Sequence, residues 1–200
     1  IRRAMADHLD PTAPLIAETG GINAMLVDST ALPEQAVRDI IASAFQSAGQ
    51  RCSALRLLCV HADIADAVIE MIRGAAQELA CGDPAHLATD VGPVIDREAF
   101  DAIQAHLARL NTQSKPLLAH MERAQSAINN IANIVLPQAF ELGSVSEVSQ
   151  EIFGPVLHIV RWRGDPQAVI DQVNALGGNQ GPAGATAGYG LTLGIQTRID

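Results

Sequence analysis

Apolar residues along the chain alternate between two rhythms, short solid runs and longer stretches spaced by three and four, which is the pattern of an α/β protein. Leu15-Ile16-Ala17 and Ala24-Met25-Leu26-Val27 are compact runs flanking Thr19-Gly20-Gly21, and read as two short strands around a turn. From Pro33 the apolar positions Val37, Ile40, Ile41, Ala44, Phe45 and Ala48 recur at helical spacing, with Pro33 suited to a first turn and Gly49 to a stop. Leu55 to Val60 reads as a strand. A second helix carries Ile64, Ala67, Val68, Met71, Ile72, Ala75 and Leu79 on one stripe and stops at Cys81-Gly82-Asp83-Pro84. A third runs from Arg97 to Leu110 with Phe100, Ile103 and Leu107 inward, and residues 115–133 read as helical with weaker punctuation. Ile134-Val135-Leu136 and Val156 to Val160 read as strands, Pro166 to Leu176 as a helix, and Leu191 to Ile195 as a last strand. Helices between strands imply right-handed crossovers and a mostly parallel sheet flanked by helices on both faces. The glycine-rich run from Gly177 to Gly190 reads as a flexible loop.

Composition narrows the function classes. At 48% hydrophobic and 18% charged, the chain builds a substantial core. A net charge of −9 argues against general affinity for nucleic acid or an anionic membrane surface. No apolar run approaches the ~20 residues needed to cross a bilayer. No apolar segment follows the opening arginines as a signal peptide requires, and the absence of an initiator methionine reads as a segment of a longer chain. Cys52, Cys59 and Cys81 are odd in number and irregularly spaced, which fits a reducing cytoplasm better than a disulfide framework. The six histidines are scattered without metal-ligand spacing, so no metal is expected.

Three segments hold candidate chemistry. Glu18-Thr19-Gly20-Gly21 places a carboxylate where the preceding strand would end, the usual ligand-collecting edge of an α/β sheet, although a lone glutamate there is also an ordinary capping or solvated residue. Gly49-Gln50-Arg51-Cys52-Ser53 places a thiol in a polar loop, where a thiolate is a strong nucleophile and the Arg51 cation favours that form. The competing reading, a small buried hydrophobe, suits Cys59 and Cys81 better. Glu151-Ile152-Phe153-Gly154-Pro155 pairs a hydrogen-bond acceptor with a flat face, suited to a ribose and a ring, while Phe153 serves a core equally well.

In order and spacing, with 34 positions from Glu18 to Cys52, these segments resemble the aldehyde dehydrogenase superfamily. Leu15 to Asp28, Ser29 to Gln35, Ser47 to Leu55 and Asp90-Val91-Gly92-Pro93-Val94-Ile95-Asp96 resemble the glutamate-semialdehyde (pyrroline-5-carboxylate) dehydrogenase module, in the form fused in bifunctional proline utilization A proteins. Tyr189-Gly190-Leu191-Thr192 and Thr197-Arg198-Ile199-Asp200 fit the same pattern. The likeness covers most of residues 12–110 and 134–200. It implies an aldehyde dehydrogenase catalytic domain over residues 1–200 that works with NAD. It further implies oxidation of L-glutamate γ-semialdehyde to glutamate, the second step of proline catabolism, through a thiohemiacetal and a thioester. By the same resemblance Cys52 is the nucleophile and its N–H half of an oxyanion hole. Glu18 is the base that activates the deacylating water. Glu151 and Phe153 bind the nicotinamide-side ribose and ring, and Ser53 contacts the substrate carboxylate. A homo-oligomeric parent, fused to a proline dehydrogenase module, is implied as well.

The same resemblance implies that the cofactor-binding domain, the oxyanion-hole asparagine, the substrate-anchor loop and the oligomerisation strand lie outside these 200 residues. No Gly-x-Gly-x-x-Gly fingerprint replaces them. Gly177 to Ala187 reads as an insertion, and Ser126 to Leu136 lacks the glycine usual before its strand. The expectation is that the 200 residues alone fold without oxidising aldehydes. Two other readings stand beside this one. A noncatalytic aldehyde-dehydrogenase-like domain with an oligomerisation role needs none of Glu18, Cys52 and Glu151. A cofactor-free, cysteine-dependent acyl-transfer or hydrolase activity lacks a histidine placed to support it.

Overall fold

The computed structural model describes residues 2–10, 12–15, 20–114, 116–118, 128, 131–176 and 190–199. A short helix α1 (Arg2–His8) precedes β1 (Asn23–Val27), α2 (Pro33–Phe45), β2 (Leu55–His61), α3 (Ala62–Gln77) and α4 (Arg97–Gln113). There follow β3 (Gln138–Leu142), β4 (Val156–Trp162), α5 (Pro166–Asn174) and β5 (Leu193–Gln196). The five strands form one sheet in the order β3-β4-β2-β1-β5, every pairing parallel.

Central strands explain why the sequence shows solid apolar runs there. β1 is buried at all five positions, β2 at its first six and β4 at its first five, because helices cover the sheet. Helices α2 and α3 pack against each other and on β2 and β4. Helix starts follow local chemistry: Pro33 and Pro166 open α2 and α5, Asp96 caps α4 by accepting from the Ala99 N–H at 2.8 Å, and Asp165 caps α5.

Several expectations need correction. Ile134 and Val135 are buried but lie in an irregular segment, and the edge strand is Gln138–Leu142 instead. Its half-buried Gln138 and Glu141 break the apolar pattern, so the solid run just upstream misleads. Residues 115–133 do not begin as a helix: Pro116 bridges antiparallel to Phe140, and the Leu117 N–H donates to the Ala139 carbonyl. The remainder of that stretch lies mostly outside the described residues. Helix α1 carries no strong apolar stripe and was not expected. Of the expected first strand, Leu15 is not in a strand, and 16–17 lie outside the described residues, as do 177–189 of the glycine-rich run.

A buried polar chain ties α4 to the sheet. Arg109 Nη2 donates to His106 Nδ1 at 2.8 Å; His106 Nε2 lies 3.0 Å from His158 Nε2; and His158 Nδ1 lies 3.0 Å from the Arg56 carbonyl. Since Arg109 only donates and the carbonyl only accepts, one assignment satisfies all three bonds, with both imidazoles neutral. Burial, reinforced by neighbouring positive charge, pushes both histidines from 6.5 to about 4. Their folded pKa values are thus depressed below the unfolded value, so the unfolded chain binds more protons between the two. Stability is fully present above the ordinary histidine range and falls as pH drops from about 6.5 toward about 4. The expected result is a falling thermal midpoint for this domain across that window, with a shallower slope in a His106→Gln, His158→Gln double variant; equal slopes would overturn the assignment.

Candidate active site

Cys52 sits at the apex of a tight turn whose backbone is held from outside. The Ala54 N–H donates to the Arg51 carbonyl at 3.0 Å, so Cys52 and Ser53 are the two central residues of a β-turn leading into β2. Each of its four carbonyls has a side-chain donor. Arg56 Nη2 reaches Arg51 O at 3.1 Å, Asn23 Nδ2 reaches Cys52 O and Ala54 O at 2.8 Å each, and Thr192 Oγ1 reaches Ser53 O at 3.3 Å. The backbone is anchored while both side chains, Cys52 and Ser53, are exposed. Among the described residues the Cys52 N–H has no hydrogen-bond partner, which leaves a donor beside the thiol.

Asn23, the first residue of β1, organises this arrangement. It is 1% exposed, and its Oδ1 also accepts from the N–H groups of Leu191 and Thr192 at 2.8 and 3.0 Å. Two donors and two lone pairs are all used, joining the entries to β1, β2 and β5.

The chain reaches this turn through strained backbone. Ser47, Ala48 and Gly49 have φ of 55°, 52° and 66°, each in the left-handed region, and for a non-glycine residue that costs about 1–3 kcal/mol. Gly49 is required twice over, since a Cβ there would lie 2.2 Å from the Gly154 carbonyl oxygen. Gln50 fastens the approach from the other side, accepting from the Ile95 N–H at 2.8 Å. Arg51 donates to the Ala42 carbonyl of α2 at 2.9 Å, so its cation is anchored on that helix.

The third sequence segment packs on the same cluster. The β1–β2 register slips by one between Asn23↔Leu55 and Ala24↔Leu57, leaving Arg56 as the extra residue of a bulge. Its guanidinium, 1% exposed, donates to Gly154 O at 3.1 Å, lies 3.7 Å from Glu151 Oε1 and stands 5.2 Å from the Phe153 ring centroid. Burial lowers the Arg56 pKa to about 10, with Glu151 opposing the shift, so it stays cationic at neutral pH. Glu151 Oε1 is buried without a hydrogen-bond partner among the described residues, whereas Phe153 is 42% exposed. Gly20 meets the Glu151 carboxylate: its φ is +105°, and a Cβ there would lie 2.5 Å from Oε2. All three sequence segments therefore converge, through Gly20–Glu151, Gly49–Gly154 and Arg56.

Of the residues singled out by sequence, Cys52, Ser53, Glu151 and Phe153 lie in this cluster, and Glu18 lies outside the described residues. Phe153 is not a core residue; Ile152 beside it is buried instead. Cys59 and Cys81 are buried, and burial raises their thiols to about 12 and about 11. The cluster occupies loops entering the strands, at the amino edge of the sheet, contrary to the carboxyl-edge placement expected for the first segment. The sequence reading missed Asn23, Thr192 and Arg56. Arg56 left a signal, a cation inside the apolar run Leu55 to Val60; a single asparagine or threonine at a strand end leaves none.

The aldehyde dehydrogenase family model matches residues 1–183. Bifunctional protein PutA of Escherichia coli strain K12 is 47% identical over 206 aligned residues, covering all of this chain and 15% of its own length. A crystal structure of a bifunctional proline utilization A (PutA) protein superposes with a TM-score of 0.82 at 48% identity, over 99% of this chain and 18% of that one. A 1-pyrroline-5-carboxylate dehydrogenase from Thermus with bound NAD gives a TM-score of 0.77 at 26% identity, over 98% of this chain and 36% of that one. The chain thus spans less than a fifth of the length of its proline utilization relatives.

Proposed function

Because the chain belongs to the aldehyde dehydrogenase family, we propose that it supplies the nucleophile-bearing catalytic domain, residues 1–200, of a cytoplasmic enzyme that oxidises L-glutamate γ-semialdehyde to glutamate with NAD. The observation that carries this reading is the exposed Cys52 on a turn with all four carbonyls anchored, in one cluster with Glu151, whose buried Oε1 accepts no hydrogen bond among the described residues. The name 1-pyrroline-5-carboxylate dehydrogenase carried by other relatives supports the substrate class, and the word bifunctional in the proline utilization names supports a parent with a second, proline dehydrogenase module; that parent is read as a homo-oligomer.

The residues present fit the nicotinamide half of NAD. An orphaned acceptor such as Glu151 Oε1 suits ribose hydroxyl donors, and the partly exposed Phe153 ring offers the adjacent flat face. The bound NAD of the Thermus relative supports this choice. When bound, NAD supplies the hydride acceptor. In the chain's own chemistry, the Cys52 sulfur attacks the aldehyde carbon to form a thiohemiacetal, and the Cys52 N–H meets the developing oxyanion. Departure of hydride leaves a thioester on Cys52. Glu18 takes a proton from the water that hydrolyses it, and Ser53 hydrogen-bonds the substrate's carboxylate.

By themselves the 200 residues are read as inactive, since they hold no dinucleotide fingerprint. The test therefore uses the full-length protein carrying Glu18→Gln. A general base contributes about 10²–10⁴-fold, so steady NADH production is expected to fall by that factor while a burst of one NADH per site remains. Mass spectrometry then finds the acyl group on Cys52. Undiminished steady turnover, or a reduced burst without acyl enzyme, would count against the reading.

A further inference from the structure

Taking Cys52 and the Glu151–Phe153 segment in the roles just proposed, we infer that Arg56 is a positioning residue. It holds the nucleophile turn and the cofactor-facing segment at a set separation, so that the aldehyde carbon on Cys52 meets the nicotinamide side of the site. No other side chain described bonds both elements. Arg56 Nη2 donates to Arg51 O, the first carbonyl of the Cys52 turn, and Nη1 donates to Gly154 O, just past Phe153. The same cation lies 3.7 Å from Glu151 Oε1 and 5.2 Å from the Phe153 centroid.

The support beneath Arg56 is equally specific. Its place in the bulge turns it out of the regular ladder, and its carbonyl is taken by His158 Nδ1. Burying a cation in a strand whose other buried residues are leucine, valine and cysteine costs stability unless its donors are engaged. A core role alone is served better by an apolar residue, which needs no partners. Two atoms of the cluster, Arg56 Nε and Glu151 Oε1, have no hydrogen-bond partner among the described residues, so the cluster keeps hydrogen-bonding capacity in reserve. Lysine keeps the charge, but its single ammonium does not reproduce a planar fork that bridges two carbonyls on different loops.

The test is Arg56→Lys in the full-length protein, with Cys52→Ala as a control. Four readouts are taken: equilibrium NAD affinity by calorimetry, stoichiometry of Cys52 alkylation, thermal midpoint, and the primary deuterium isotope effect on kcat with aldehyde deuterated at the reacting carbon. The expected variant is folded and alkylated at one Cys52 per chain. It binds NAD roughly 10-fold more weakly, loses roughly 100-fold in kcat, and shows a larger isotope effect because hydride transfer becomes limiting. A merely structural role lowers activity only with the folded fraction and leaves NAD affinity and isotope effect unchanged, and that result overturns the proposal. Should Arg56→Lys not fold, Arg56→Gln, which buries no charge, carries the same measurements; failure of both to fold overturns a role separate from folding. NAD-dependent turnover surviving in Cys52→Ala removes the site reading itself. Its loss there, with Arg56→Lys unchanged in affinity and isotope effect, removes only the role given to Arg56.

Discussion

Cys52→Ala in the full-length protein is expected to lower aldehyde oxidation by at least about 10³-fold while leaving the thermal midpoint within about 1 °C, because in the role proposed for Cys52 its deletion removes the reaction path and not a contact. The second half of that statement comes from the geometry. The turn is held through the carbonyls of Arg51, Cys52, Ser53 and Ala54, and none of those bonds involves the thiol. The side chain is exposed, so its loss opens no cavity. Selective chemistry is expected for the same reason. A thiol-directed electrophile at neutral pH should modify Cys52 and spare Cys59 and Cys81, which are buried with thiols raised to about 12 and about 11. Initial rates, a melting curve and peptide mapping check all three parts. Turnover within 10-fold of the unaltered protein, or preferential label on Cys59, would defeat the nucleophile assignment.

Asn23→Leu is expected to be the most damaging change of similar volume near the site, costing about 3–5 kcal/mol, because it strands four buried or part-buried backbone groups at once. The carbonyls of Cys52 and Ala54 lose their donor, and the N–H groups of Leu191 and Thr192 lose their acceptor. A full penalty on each would sum higher, but water reaches part of the turn and returns some bonds. Asn23→Asp is expected to fall between, since it keeps the acceptor for Leu191 and Thr192 while turning lone pairs toward two carbonyls. Unfolding midpoints report the cost, and hydrogen exchange in the peptide spanning residues 50–60 reports loosening of the turn. A loss under 1 kcal/mol for Asn23→Leu, with unchanged exchange, would mean that Asn23 does not organise the site.

The individual elements were largely readable from periodicity because burial on the central strands is nearly complete, and complete burial writes itself as a solid apolar run. β1, β2 and β4 came through for that reason, and α2, α3 and α4 through their stripes against the sheet. β3 did not, because an edge strand is covered unevenly: half-exposed Gln138 and Glu141 interrupt the buried Ala139, Phe140 and Leu142. Ile134 and Val135 are as apolar as a strand and as buried, but their backbone does not join the ladder. Apolar content reports burial, and only pairing makes a strand.

For the site, residue types and their order along the chain singled out Cys52, Glu151 and Phe153 as candidates, together with the glycines beside them, and the family resemblance added Ser53. A reactive thiol, an acceptor beside a ring and a glycine turn are properties of side chains, carried in the chain itself. The sequence also contained Arg56, an unexplained charge in an apolar run. Its purpose could not be read there, because its partners Gly154, Glu151 and Phe153 are distant in the chain and come near it only when β2 and β4 pair. Asn23 was less legible still: its four bonds join segments about 30 and about 170 positions away, and a hydrogen bond needs matched donors, acceptors and angles that exist only after folding. The chain alone thus specified the candidate reactive groups and where most of the core runs. The tertiary structure selected the edge of the sheet on which they gather and the buried asparagine and arginine that hold them there, since those are relations between distant segments that no single segment encodes.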